Sequence, residues 1–400
     1  AGLRHSFLAL YMNGDNLYPH IRFSPPVYRE GITGPDGRKQ PNYKYWSPLD
    51  QQLMAEHVAG LMRLYGDNHA VVREGEQERL PICSMWDPVA TPSFDEEGVR
   101  AYRGYLANLG LTSEAEDPRD DWFFWRYRDD PSLTGRDVLE GSDKYRTLAL
   151  NMRFKRDVLK RFFHQMKARL HGVDKRLMLI PNLSQWSLFL NIAAPALGRV
   201  GHGDLWDTAN RGIDPFVLEG ELDNASFTAV PVGPDGDADA YVAACQFSMI
   251  RAMNRNRDFC VGLFIGRFLA NDLYRYLSPA EMIGSAVASG AKGLNVYGYC
   301  GLDDGGVLHA MDGAVRDSIG VGNRWARRAM AALGRRGKAR IALLFPAAMA
   351  LMEPYEVPGN RDRRLDMLGY YRAFCDWGYM VDVLHPCQLA QSLGGYAMLV

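Results

Sequence analysis

Short apolar runs alternating with long amphipathic segments predict a parallel α/β fold, because a strand covered on both faces needs a continuous apolar run and its crossover needs a helix. Six such strand–helix units can be read, two short of a closed (β/α)8-type barrel. After a Gly-and-basic hinge at 334–338 the alternation resumes as the start of a flavodoxin-like, doubly wound α/β domain. The expectation is therefore a barrel over 1–334, lacking its first two units, and a partial doubly wound domain over 335–400.

The runs that read as strands are 3–12, 80–85, 176–182, 215–222, 259–265 and 293–299. Between them, residues 49–65 place Leu53, Val58, Leu61, Met62 and Tyr65 at helical spacing. Residues 151–171 do the same with Phe154, Val158, Phe162, Met166 and Leu170. Further helices are expected over 95–109, 239–254, 279–290 and 316–333. Ser278-Pro279 is a good helix start, with Pro in the first turn and Glu281 near the positive end of the dipole. Past the hinge, strands are expected at 341–345, 380–385 and 397–400, with a helix over 361–377. The stretch 114–143, rich in Asp, Arg and Trp, is too long for a plain connector and is expected to cap the barrel mouth. No Gly-x-Gly-x-x-Gly turn follows any strand, so a dinucleotide fold has no support. Both ends read as cut: the chain opens on Ala1 and an apolar run, and stops in a strand.

A net charge of -1 gives no global field toward nucleic acid or an anionic membrane. The basic cluster Arg335, Arg336, Lys338 and Arg340 reads either as a solvated face beside the joint or as a binding patch. No apolar run is long enough to span a bilayer. The six cysteines form no C-x-x-C pair and several lie in apolar runs, which fits a reducing, cytoplasmic compartment. The histidines show no paired metal spacing, so neither a metal nor another cofactor is expected. The absence of a Gly-x-Ser-x-Gly elbow argues against an esterase.

Three groups of motifs carry a resemblance. The first is Asp36-Gly37-Arg38, Tyr45-Trp46-Ser47-Pro48 and Arg63-Leu64-Tyr65-Gly66-Asp67-Asn68 with Ala70-Val71-Val72. The second is Leu277-Ser278-Pro279 and Ala288-Ser289-Gly290-Ala291-Lys292-Gly293-Leu294. The third is Tyr370-Tyr371-Arg372-Ala373-Phe374, Gly378-Tyr379-Met380-Val381-Asp382-Val383 and Gly395-Tyr396. In this order they resemble glycoside hydrolase family 42, the β-galactosidase-like barrels, over nearly the whole chain. The resemblance implies a carbohydrate substrate, a sugar site at the barrel mouth, and a homotrimer through the domain after the barrel. It also implies an Asn-Glu pair ending strand four and a nucleophilic Glu ending strand seven. Here strand four runs out at Ser84-Met85-Trp86-Asp87-Pro88, where Asp87 is the nearest carboxylate. Strand seven reads Phe259-Cys260-Val261-Gly262-Leu263-Phe264-Ile265-Gly266-Arg267 and has none. The family's cysteine zinc ligands are absent as well.

Glycoside cleavage needs two carboxyl groups across the scissile bond, one of them held protonated. Asp87 follows an apolar strand beside Trp86, as an acid would; it also reads as a turn-capping Asp before Pro88. If 215–222 is a strand, alternation puts Glu219, Glu221 and Asp223 on one face, where they either line the mouth or form solvated ion pairs. Glu219, which directly follows the apolar run, is the favoured partner of Asp87. Aromatic rings stack on sugar faces. Trp86, Trp186, Tyr297 and Tyr299 lie near strand ends as platforms or as core. Asn182, Arg267, Asp303 and Asp304 follow strands and are placed to bond hydroxyls. These residues describe a hydrolase for a β-linked glycoside or oligosaccharide, a galactoside among the candidates. The alternative is a catalytically inactive carbohydrate-binding or scaffolding barrel.

Overall fold

A computed structural model describes residues 31–34, 36–40, 43–65, 72–74, 76–84, 90, 92–111, 142–181, 183, 214, 216–218, 220–231, 238–255, 259–265, 267–268, 271–272, 277–297, 313–332, 337, 339–345 and 358–400. The chain divides into two compact units, one of residues 1–184, 208–223 and 351–357, the other of 185–207, 224–350 and 358–400.

In the first unit, β1 (Ile32–Thr33) and β2 (Lys39–Gln40) pair as a hairpin ahead of α1 (Pro48–Tyr65). Then come β3 (Val72–Glu74), β4 (Gln77–Ser84), α2 (Glu96–Asn108), α3 (Ser142–Val173) and β5 (Leu177–Pro181). Strand β4 lies parallel to β5, with Leu80 opposite Leu177, and antiparallel to β3. The predicted stripe of α3 is the buried one: Phe154, Val158, Phe162, Met166 and Leu170 are all almost fully covered. Each such side chain contributes about 1.5–3 kcal/mol by leaving water. Aromatic rings close the core, with Tyr102 and Tyr105 edge-on to Phe154 at 5.1 and 5.2 Å and Tyr45 edge-on to Phe162 at 5.0 Å. Helix α2 starts on Asp95, which accepts from the Gly98 N–H at 3.0 Å and from the Thr33 hydroxyl at 2.8 Å. Burial opposes its ionisation, but the bonds from Gly98, Ser93 and Thr33 outweigh it and hold the carboxyl at about 2. Helix α3 begins at Ser142, inside the stretch expected to be a cap, whose residues 114–141 lie outside the described residues.

The second unit continues with β6 (Thr228–Ala229), α4 (Ala240–Met253), β7 (Phe259–Phe264), β8 (Arg267–Phe268), β9 (Asn271–Asp272), α5 (Pro279–Ala288), β10 (Ala291–Tyr297) and α6 (Gly313–Ala332). Strands β6, β7 and β10 run parallel with β7 in the centre, and β8–β9 form a hairpin after it. A Cβ on Gly262 would meet Thr228 Oγ1 at 2.6 Å, so β6 reaches β7 this closely because that position is glycine. Helix α4 is apolar on nearly every side and buried. Its two buried amides act as strand partners: Gln246 exchanges bonds with the Val230 N–H and C=O at 2.9 and 3.0 Å, and Asn254 does so with Ala225 at 2.9 and 2.7 Å. Helix α5 starts on the expected capping box, Ser278 N donating to Glu281 at 2.8 Å and Glu281 N to Ser278 Oγ at 3.3 Å. The same unit closes with β11 (Ile341–Leu344), α7 (Pro358–Asp376), β12 (Val381–Leu384), α8 (Leu389–Ser392) and β13 (Met398–Leu399). These strands are parallel in the order β12-β11-β13.

The fold is thus mixed α/β with parallel ladders, as expected, but the described strands form separate two- and three-stranded pieces and no closed barrel. The expected strand at 3–12 and residues 333–336 of the hinge lie outside the described residues. The expected strand at 215–222 is corrected. Residues 216–218 and 220–222 turn instead, with Val217 N and Leu218 N donating to Asp214 O and Glu221 N to Leu218 O. Gly220 sits at φ +96°. The run misled because Phe216, Leu218 and Leu222 are buried in the turn, which imitates the alternation of a strand. The strand of this region is β6, further along the chain.

Candidate functional site

In parallel α/β folds, chemistry gathers at the C-terminal ends of the strands. In the first unit β4 ends at Ser84 and β5 at Pro181. Trp86 and Asp87, Asn182 and Trp186 follow them and lie outside the described residues. In the second unit Tyr297 is the last residue of β10 and Arg267 the first of β8, and neither side chain is among those described. Tyr299, Asp303 and Asp304 lie outside the described residues altogether. Strand β7 carries no carboxylate from Phe259 to Ile265. No sequence signal announced the short β8–β9 hairpin that follows it.

The acidic run before β6 is the best described part of the candidate set. Asp214 is 2% exposed and accepts from the N–H groups of Phe216 and Val217 at 3.1 and 3.2 Å. Burial raises its carboxyl to about 6, against the pull of those amides and of Arg156. Glu219 lies outside the described residues, between two residues of the turn. Glu221 meets His164 Nδ1 at 2.7 Å and Lys160 Nζ at 3.8 Å, both on α3. Asp223 is more deeply held: it accepts from the Leu179 N–H at 2.9 Å and from Arg79 at 3.0 Å, with His171 at 3.2 Å and Lys167 at 3.4 Å.

These contacts place Asp223 beside the starts of β4 and β5 and the last turn of α3, the end opposite the expected mouth. The expectation that 215–222 puts Glu221 and Asp223 on a strand face is therefore corrected, while Glu219 lies outside the described residues. Glu221 and Asp223 are bound to α3, through a basic stripe that sequence reasoning missed. Lys160, His164, Lys167 and His171 recur at i, i+4, i+7 and i+11, a helix face that asks for acidic partners. That spacing was the available signal. Among the described residues no group of three or more His, Cys, Asp or Glu could hold a metal ion, and no helix is long and apolar enough to cross a membrane.

No protein-family model and no curated protein sequence matches the chain. Solved structures do. The β-galactosidase from Bacillus circulans sp. alkalophilus superposes with a TM-score of 0.63 at 14% identity, over 94% of this chain and 54% of that one. A GH42 β-galactosidase from G. stearothermophilus gives 0.60 at 14% identity, over 94% and 54%. A GH42 exo-carrageenase from Bacteroides ovatus gives 0.52 at 14% identity, over 94% and 51%. The fold is thus that of the GH42 glycoside hydrolases. The chain spans about half the length of the structures it matches.

Proposed function

We propose that this chain is a carbohydrate-directed protein of the glycoside-hydrolase kind, recognising a β-linked glycoside or oligosaccharide, with galactosides the first to try. The observation that carries the reading is the fold it shares with β-galactosidases and an exo-carrageenase over nearly its whole length. In the hydrolytic form of the proposal, Asp87 is the acid, because it follows an apolar parallel strand and neighbours Trp86. Trp86, Asn182, Trp186, Arg267, Tyr297, Asp303 and Asp304 belong to the sugar-binding set by their places at or after strand ends. Glu219 is the proposed second carboxylate, acting as base, with Glu221, which meets His164 and Lys160 on α3, as the alternative. A specific observation favours a second reading, sugar binding without turnover: β7 has no carboxylate to serve as nucleophile.

The experiment is a screen of aryl β-glycosides and β-linked oligosaccharides with the protein and its Asp87→Asn variant. Turnover lost on substitution supports the hydrolase, and proton NMR of the first product should then show inversion, because a covalent glycosyl-enzyme has no group on β7 to form on. A raised melting temperature with sugar, without turnover, supports the binding form. Neither turnover nor binding across the screen overturns both. A homotrimer belongs to the same proposal, and light scattering reads it directly.

A further inference from the structure

Helices α4 and α7 pack against one another in the second unit, and two cross-contacts fix how. Ser248 Oγ lies 3.0 Å from the Tyr371 hydroxyl, and the Tyr241 hydroxyl donates to Asp376. Rising numbers on one helix meet falling numbers on the other, so the pair is antiparallel. Arg372 rests over the Tyr241 ring, 5.0 Å from its centroid, at the same end. Along α4, Tyr241, Cys245 and Ser248 stand at i, i+4 and i+7, one face of the helix. Along α7, Tyr371 and Cys375 stand at i and i+4, and Asp376 is next to Cys375. Each cysteine therefore lies between the two tie points, on the face that meets the other helix. Both are thiols rather than halves of a disulfide, Cys245 buried and Cys375 part-exposed. Burial raises the Cys245 thiol, and the charge of a Cys375 thiolate adds to that rise, so the two sulfurs sense each other.

We infer that Cys245 and Cys375 are a redox pair, closing to a disulfide that ties α4 to α7 when the protein meets a peroxide. The accessible thiol reacts first. The Cys375 thiolate attacks the peroxide, its sulfur is oxidised to the sulfenic acid, and hydroxide leaves to become water. The Cys245 sulfur then attacks the sulfenic sulfur, the S–O bond breaks, and a second water leaves with the Cys245 proton. In balance, two thiols and one hydrogen peroxide give one disulfide and two waters. The second step is the slow one, because the buried thiol ionises reluctantly. The loop closed between residues 245 and 375 is long, and long closed loops restrict the unfolded chain most.

The test treats the whole protein with hydrogen peroxide, blocks remaining thiols with iodoacetamide, and maps peptides by mass spectrometry. A peptide joining Cys245 to Cys375, about 2 Da lighter than the two thiol peptides together, is expected. So is a melting temperature higher by about 5 °C, reversed by dithiothreitol. Cys375→Ser should abolish both, and Cys245→Ala should leave Cys375 trapped as sulfenic acid, captured by dimedone. Alkylation of both cysteines after peroxide, a link to another cysteine, or an equal thermal shift in Cys375→Ser would overturn the pair. Should Cys245→Ala fail to fold, the wild-type and Cys375→Ser results decide alone.

Discussion

Between Asp214 and Asp223 the chain carries four carboxylates in ten residues, whereas Phe259–Ile265 carries none. The first region precedes a strand and the second is a strand and the residue after it, so the charge is found where a parallel α/β fold holds itself together. It is missing where such a fold does chemistry. In the acidic region each described carboxylate serves the structure. Asp214 caps its own turn, Glu221 meets the outer face of α3, and Asp223 bonds the Leu179 amide of β5. Strand β7 is instead shaped by packing, with Val261 and Leu263 fully buried and Gly262 admitting Thr228. Carboxylates beside an apolar run are therefore weak signs of a catalytic pair until the direction of the strand is known.

The comparison breaks most readily at Asp223. Asp223→Ala removes the buried acceptor shared by the Leu179 N–H, Arg79, His171 and Lys167 and should cost about 3–5 kcal/mol in urea unfolding. Glu221→Ala, whose His164 partner is largely exposed, should cost under about 1 kcal/mol. Equal losses would show that the two acids are alike after all. On the other side, Gly262→Ala should cost about 1–3 kcal/mol, because the new methyl group meets both the side chain and the backbone of Thr228. An unchanged midpoint would mean that β6 has room to move away from β7.

Asp214 gives a pH test. Its carboxyl titrates near 6 when folded and near 3.8 when unfolded. Between those values the native state holds the extra proton, so stability falls as pH rises from about 4 to 6. Asp214→Asn should remove that slope and gain about 1–3 kcal/mol at neutral pH, its side-chain oxygen still accepting from the turn. A slope that survives the substitution would assign it elsewhere. Asp95 works in the opposite sense: held at about 2, it stabilises above pH 4 and loses this as pH falls toward 2. Asp95→Ala should cost about 1 kcal/mol at pH 7, with the difference from wild type vanishing in acid. The smallest effect is expected at the proposed joint near residues 334–340. Limited proteolysis should cut there first, while the buried pair Arg251–Asp382 keeps the two pieces together on a sizing column.

Periodicity alone determined the helices and most strands. The buried stripe of α3, the capping box at Ser278 and the parallel strands β11 and β12, from Ile341 onward, each follow from local spacing, which every residue carries with it. Tertiary structure decided the rest. The run at 215–222 has a strand's pattern, yet Asp214 and Gly220 fold it into a turn. The two-residue β6 has almost no pattern of its own; the amides of Gln246 on α4 and of Asn254 at its C-terminus bond Val230 and Ala225 on either side of it, and Gly262 admits Thr228. Whether Glu221 and Asp223 faced a pocket or a helix depended on partners 44 to 144 residues away along the chain. Such partners are chosen by the fold, and no local pattern names them.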